Sequence, residues 1–233
     1  GNSAEQTLDF VVPFRQVVGP DLVEIEAENF HENVRQDSHE WQLGTDLTGF
    51  TGTGFMRAIP DSGANIESNY DTGSPRLDFE VNFLKTGTHY VWIRYLKTGG
   101  EDDSCHIGMD GKMRTDAENM SAPGPDNMWY WSNERRDNLG RAKLEIASAG
   151  VHTVNVWMRE DGFRLDKIVL TTDASYEPTH KISEARPVED IPHSKAEPNE
   201  PKPEEPKPIE ILPVAQPVRD RTLRRTAFDI GLE

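Results

Sequence analysis

The chain has a single cysteine, Cys105, among its 233 residues. One thiol can build neither a disulfide framework nor a thiolate-bound zinc site. It sits in the alternating run Ser104–Met109 and reads as a small buried hydrophobe rather than a nucleophile. Positive charge is scarce as well. Lys and Arg number 25 against 41 Asp and Glu, a formal charge of −16. An acidic surface repels phosphate backbones and anionic bilayers, so nucleic acid and membrane surfaces are excluded as partners. No apolar run approaches the roughly 20 residues of a membrane-spanning helix, so membrane insertion is excluded too. Catalytic signatures are also missing. The seven histidines are scattered, without a His-Glu-x-x-His pattern, and neither a Gly-x-Ser-x-Gly elbow nor a phosphate loop is present. The paired acids Asp102-Asp103 and Glu160-Asp161 fall where turns are expected, and turns collect acids without any catalytic purpose. No amphipathic helical period stands out.

What the sequence does have is alternation. Leu77, Phe79, Val81 and Phe83 share one parity in Arg76–Phe83, and Val91, Ile93 and Tyr95 oppose Tyr90, Trp92 and Arg94 further on. Val154, Val156 and Met158 oppose Asn155, Trp157 and Arg159, and after a short acidic turn Asp166 shares its parity with Ile168 and Leu170. A carboxylate on an apolar face is costly unless a cation or hydrogen bonds satisfy it. Shorter strands are expected over Leu22–Phe30, Phe55–Ile59, Ser104–Met109 (ending in an Asp110-Gly111 hairpin turn) and around Leu144 and Ile146. Residues 115–138 read as a long polar loop around Trp129-Tyr130-Trp131, and such loops are often functional. Several short strands with Gly-rich turns indicate an all-β sandwich.

The organisation expected is an N-terminal strap over residues 1–19, the sandwich over 20–175, and a Pro-rich acidic linker with a C-terminal segment over 176–233. Ten of the sixteen prolines follow Tyr176. The stretch from Glu197 to Pro208 is a charged polyproline-type spacer with too few apolar residues for a core of its own. Beyond it, Ile209–Val214 either ends free or lies on a sheet edge, and the tail is a candidate for self-association or partner contact. No signal peptide opens the sequence. Gly1-Asn2-Ser3-Ala4 and the final Leu232-Glu233 have the look of cloning boundaries, so that observation does not argue for the cytoplasm.

Glu26 and Glu28 lie two apart on an expected strand and so leave one face, where they repel unless a cation sits between them. Asp166 is a third acid that another strand can bring to them. The alternative is a plain solvated acidic face. Ile25-Glu26-Ala27-Glu28-Asn29-Phe30, followed much later by Gly150-Val151-His152-Thr153 and Phe163-Arg164-Leu165-Asp166-Lys167-Ile168, resembles the galactose-binding-like β-sandwich of family 6 and family 35 carbohydrate-binding modules. The resemblance covers roughly residues 20 to 173. It implies a jelly-roll β-sandwich in which Glu26, Glu28 and Asp166 bind a structural calcium ion. It also implies sugars stacked on aromatic rings in loops at one end. On that basis Trp129 or Trp131 is the expected stacking platform, with one of the pair in the core and the other exposed. Trp41 is a further wall of the cleft, and Phe55 or Arg57, near the family's second aromatic position, a further contact, with Arg57 the one taken as a site residue. Arg164 stands where the family often has a sugar-binding asparagine. Its planar fork suits an acidic sugar, or else simply pairs with a local acid. Trp92 and Trp157 suit a sheet-face site in some relatives, and the commoner outcome is that both are covered.

The expected function is therefore a non-catalytic, calcium-stabilised carbohydrate-binding domain. It would be extracytoplasmic and hold a polysaccharide or oligosaccharide for a degradative system. Two rivals are a structural or protein-interaction sandwich working through its Pro-rich tail, and a small glycan-active enzyme.

Overall fold

The computed structural model describes residues 12–179, apart from 20 and 122, together with the strand Ile182–Glu184. Among these residues two β-sheets face each other. The first runs β1 (Phe14–Arg15), β6 (Arg76–Phe83), β13 (Gly150–Met158), β8 (Ser104–Met109), β10 (Met120–Ser121), with β3 (Glu32–Val34) also on β6 and β9 (Lys112–Met113) on β8. The second runs β15 (Ile182–Glu184), β11 (Met128–Ser132), β7 (Gly87–Leu96), β14 (Arg164–Thr171), β5 (Phe55–Ile59), β4 (Glu40–Gly44), with β12 (Lys143–Ile146) also on β7 and β2 (Leu22–Glu26) on β14.

The alternating residues do what their period requires. Leu77, Phe79, Val81, Phe83, Val154, Val156 and Met158 point from the first sheet onto Val91, Ile93, Tyr95, Ile168 and Leu170 of the second, and all are buried in one core. The hairpin at Asp110-Gly111 forms with both residues in the left-handed region, as a tight turn between twisted strands demands. Cys105 lies in this core, and burial pushes its thiol far above the usual range. β13 and β14 belong to different sheets, so the acidic turn between them crosses the sandwich. Asp161 anchors that crossing. Its carboxylate accepts from the backbone N–H groups of Ser62, Gly63 and Ala64 and from Ser62 Oγ and His39. Glu160 accepts from Asp103 N and Ser104 Oγ and pairs with Arg159. Asp102 accepts from Thr98, Gly99 and Arg164. These acids organise turns.

Three strand expectations change. β2 stops at Glu26, and Ala27–Asn29 is a 3-10 turn, so Glu28 does not share a strand with Glu26. The expected loop over 115–138 contains a strand, β11, that carries both tryptophans. Residues two apart on a strand share a face, so Trp129 and Trp131 do not part into core and solvent as expected; both stand on the outer face of the second sheet. Trp157 and Trp92 lie on outer faces of different sheets and cannot form one platform. Trp157 is covered, with Tyr70 edge-on at 5.4 Å. The N-terminal strap is described from residue 12. There Gln16 is locked in place, its Oε1 accepting from Leu84 N and Lys85 N and its amide nitrogen 2.9 Å from His89 Nε2. The polyproline spacer and Ile209–Val214 lie outside the described residues.

Candidate functional site

The outer face of the second sheet is built in cross-strand rows. Trp131 on β11 pairs with Arg94 on β7, Arg94 with Lys167 on β14, and Lys167 with Glu26 on β2. One row further along, Trp92 pairs with Val169. The row thus runs from an aromatic edge, through two cations, to an acid.

At the acidic end a β-bulge decides the geometry. The β14–β7 register shifts between Leu165 and Lys167, which makes Asp166 the extra residue. Simple parity puts Asp166 on the core face with Ile168. The bulge releases it, and its carboxylate meets the loop that joins β4 to β5. Thr51 N donates to Asp166 Oδ1 at 2.9 Å, and Thr51 Oγ1 lies 2.6 Å from Glu26 Oε2 and 3.1 Å from Asp166 Oδ2. Thr53 N donates to Glu28 Oε1 at 2.6 Å. Gly52 has φ +64°, and a Cβ there would stand 2.1 Å from Glu28 Oε1. The three acids expected to act together therefore converge on Thr51-Gly52-Thr53. Two internal cations already reach them: Arg94 pairs with Asp166 and donates to Gly49 O, and Lys167 Nζ lies 2.7 Å from Glu26 Oε1. Burial pushes the Asp166 carboxyl up to about 6 in spite of Arg94. Glu28 Oε2 is buried with no hydrogen-bond partner. Among the described residues, no group of three or more His, Cys, Asp or Glu side chains is drawn close enough to form a finished metal site. The all-oxygen donor set, the orphaned Glu28 oxygen and the close approach at Gly52 nonetheless fit a hard divalent cation such as calcium.

The same loop seals one tryptophan. Trp129 is fully buried, packed on Phe55 and Leu96 beneath Leu47 and Phe50, with Nε1 donating to Thr48 O at 2.8 Å and the Arg94 guanidinium over its ring. It offers no face to a ligand. Trp41 is also a core residue: its Nε1 donates to Pro75 O and Phe163 meets its ring edge-on. The short polar segment around it is β4, and Trp41 is its one buried side chain. Neither indole can serve as the exposed wall that was expected of it.

Trp131 is different. Though itself buried to 7% exposure, with Trp92 and Tyr176 it walls an open cavity of about 600 Å³ beside β11. Trp92 and Tyr176 meet edge-on, with ring centroids 6.4 Å apart. Chain geometry makes the hollow. β11 and β12 both run antiparallel to β7 and are in effect one strand, interrupted by an excursion over residues 133–141. The excursion closes on itself through Arg135 N donating to Gly140 O and Ala142 N donating to Asn133 O, and it turns at Asp137 and Asn138, both in the left-handed region. The opposite wall is the turn after β14, held by Asp173 Oδ1 accepting from Ser175 N and Oγ. Ser132, Asn133 and Asn138 add polar groups to the lining.

Arg57 and Arg164 lie elsewhere. They pair in register across β5 and β14. Arg57 makes a bidentate contact with Asp46 at 2.9 and 3.0 Å and lines a second recess of about 280 Å³ with Gln42 and Leu43. Arg164 is buried and donates to Asp102 and Gly162 O, the local pairing that competed with the acidic-sugar reading. Of the five expected sugar contacts, then, only Trp131 borders the large cavity. Tyr176, Asn133 and Arg141, which complete it, carry no local signal. Their neighbours come from distant parts of the chain.

The family model for the glycosyl hydrolase family 115 C-terminal domain matches residues 17–180. An uncharacterized protein, P23, of Formosa agariphila is 30% identical over 190 residues, covering 69% of this chain and 46% of its own length. The chain thus spans less than half of that relative. Similar solved structures include a CBM35 from Paenibacillus barcinonensis, at 18% identity over 64% of this chain and 98% of that one, with a TM-score of 0.46. Another is the GH26-CBM35 β-(1,4)-mannanase of Podospora anserina, at 19% identity over 67% and 29%, TM-score 0.42. A third is the C-terminal CBM6 of LamC, a marine laminarinase from Zobellia galactanivorans, at 16% identity over 65% and 99%, TM-score 0.40. Among the described residues no helix is long and apolar enough to cross a membrane.

Proposed function

The chain belongs to the family of glycosyl hydrolase family 115 C-terminal domains, and from that premise we propose that it is a non-catalytic carbohydrate-binding domain that holds a polysaccharide for a degradative system outside the cytoplasm. The observation that carries this reading is the hollow walled by Trp131, Trp92 and Tyr176. A pyranose has an apolar face of C–H groups that packs on flat rings, while its hydroxyls seek polar partners such as Ser132, Asn133 and Asn138. The cavity's size falls within the range of small-ligand sites. Its walls are fixed by turns before any ligand arrives, which lowers the ordering cost of binding. The acids that paired spacing brings to mind for hydrolysis, Glu160, Asp161 and Asp102, are engaged in holding turns. A glycan array followed by isothermal titration tests the proposal. Wild-type protein should bind at least one neutral glycan, and Trp131→Ala should weaken it at least tenfold. Equal binding by both would remove the hollow from the account.

Calcium is part of the same proposal, in a supporting place. Glu26, Glu28 and Asp166 would hold it, and its charge would relieve the repulsion and desolvation that their convergence creates. Arg94 and Lys167 already offset part of that charge, so the ion would tighten the β4–β5 loop rather than create it. Melting in EDTA and in millimolar calcium chloride checks this: calcium should raise Tm by several degrees. A Tm unmoved by either would leave the two side-chain cations as the only counter-charges.

A further inference from the structure

We infer that Arg141 is the specificity-determining residue of the hollow, and that it selects a neutral sugar presenting two adjacent hydroxyl groups. The inference rests on the reading of this hollow as a glycan site and adds what the site grips. Arg141 closes the excursion between β11 and β12, directly after Gly140, and lines the cavity. Its guanidinium is held in one plane over the Tyr90 ring, 4.4 Å from the centroid. Nη1 donates to Ala174 O at 2.6 Å, which ties the excursion to the opposite wall. With the Asn133 amide turned to face it, Nε and Nη2 donate to that oxygen at 2.8 and 3.2 Å.

A guanidinium has about five N–H donors. These contacts use three, and among the described residues one N–H on each terminal nitrogen is left for a ligand. Two rigid donors on neighbouring atoms suit two neighbouring acceptors, which a flexible ammonium does not match. A carboxylate or a vicinal diol would both present such a pair. The rest of the lining favours the diol. Glu134, Glu177 and Arg135 border the same cavity; Arg135 is turned to backbone carbonyls, its Nε donating to Glu118 O and its Nη1 to Leu139 O, so an acidic sugar would bring a third negative charge beside the two glutamates. Trp131 and Tyr176 then take the sugar's C–H face while Arg141 holds two oxygens on its edge.

Isothermal titration with xylohexaose, mannohexaose and cellohexaose, and with trigalacturonate as the acidic arm, tests this. At least one neutral hexasaccharide should bind and trigalacturonate should not. Arg141→Lys keeps the charge and loses the fork. It should fold with a Tm within a few degrees of wild type and bind the neutral ligand at least tenfold more weakly. Against methyl glycosides of that sugar lacking one hydroxyl at a time, wild type should lose about tenfold for two adjacent positions, and Arg141→Lys should lose little for the same two. A merely structural clamp would not change that pattern. Preference for trigalacturonate, or unchanged discrimination in Arg141→Lys, overturns the inference. Binding lost in Trp131→Ala but kept in Arg141→Lys leaves the hollow as the site and removes Arg141 from it. Binding kept in both, or shown by none of the four probes, overturns the site as well.

Discussion

Trp129 and Trp131 stand two residues apart on one strand, on one face of one sheet, and their surroundings are opposite. Trp129 lies under the β4–β5 loop, its indole N–H bonded to Thr48 O and its ring against Phe55 and Leu96. Trp131 lies one register step along, where that loop no longer reaches, and borders an open cavity. The strand treats both alike. The difference comes from what crosses above them: a loop drawn down onto the sheet by Glu26, Glu28 and Asp166 on one side, and an excursion that swings away from the sheet on the other. The same acids that look like a metal site thus decide which aromatic is structural.

The sharpest way to break this comparison is to exchange the behaviour of the two indoles. Trp129→Ala leaves a cavity under the loop, and stability should fall by about 3–5 kcal/mol in a denaturant melt. Glycan affinity of the protein that remains folded should hold. Trp131→Ala should do the reverse in binding, losing at least tenfold in affinity by titration, or about 1.4 kcal/mol, with a smaller loss of stability because Trp131 keeps 7% exposure at the cavity wall while Trp129 has none. If both variants lose stability equally and neither affects binding, the two halves of the face are not functionally distinct.

Thr51→Val sharpens the sealed half. It keeps the shape and removes the hydroxyl contacts to Glu26 Oε2 and Asp166 Oδ2; Asp166 Oδ2 keeps Arg94, while Glu26 Oε2 loses its 2.6 Å contact. A loss of about 1–2 kcal/mol is expected in thermal or urea unfolding, together with faster proteolysis of the β4–β5 loop.

The smallest effect lies outside both halves, at Asp103 in the segment before β8. Burial and the neighbouring Glu160 carboxylate push Asp103 up to about 6. The native state therefore holds a proton between about pH 4 and 6 that the unfolded chain has released, and stability falls as pH rises through that window. Asp103→Asn removes this loss. It should be the more stable form above pH 6, by about 1 kcal/mol or less once solvent screening is allowed for, and should match wild type below pH 4. Glycan affinity should not change. Weakened binding in this variant would place the site near Asp103 rather than in the hollow.

Much of the framework was legible because a half-buried strand writes its two faces into alternate residues. Phe55–Ile59, Arg76–Phe83 and Ser104–Met109 are strands over the expected residues. The meeting of Glu26, Glu28 and Asp166 was legible only through family resemblance, since parity alone places Asp166 on the core face. Trp129-Tyr130-Trp131 misled because polar and glycine-rich flanks mark a loop, while the strand itself is stabilised by partners on β7 that lie far away in sequence. Trp41 misled because its polar flanks hid β4, which pairs with β5. Tyr176 marked only the start of a proline-rich segment, and Arg141 marked nothing.

The sequence by itself determined that the chain is a two-sheet sandwich, because period-2 burial is a local property that survives without knowledge of neighbours. It also determined that the early and late acids need a cation or donors, because an unpartnered charge on a buried face costs too much wherever it is placed. Only the tertiary structure decided which cations reach them, which indole the β4–β5 loop seals and which borders the cavity. Those outcomes depend on a bulge at Asp166, on a loop's path over the sheet and on an excursion between β11 and β12. Each is fixed by contacts between residues tens of positions apart, which no local pattern records.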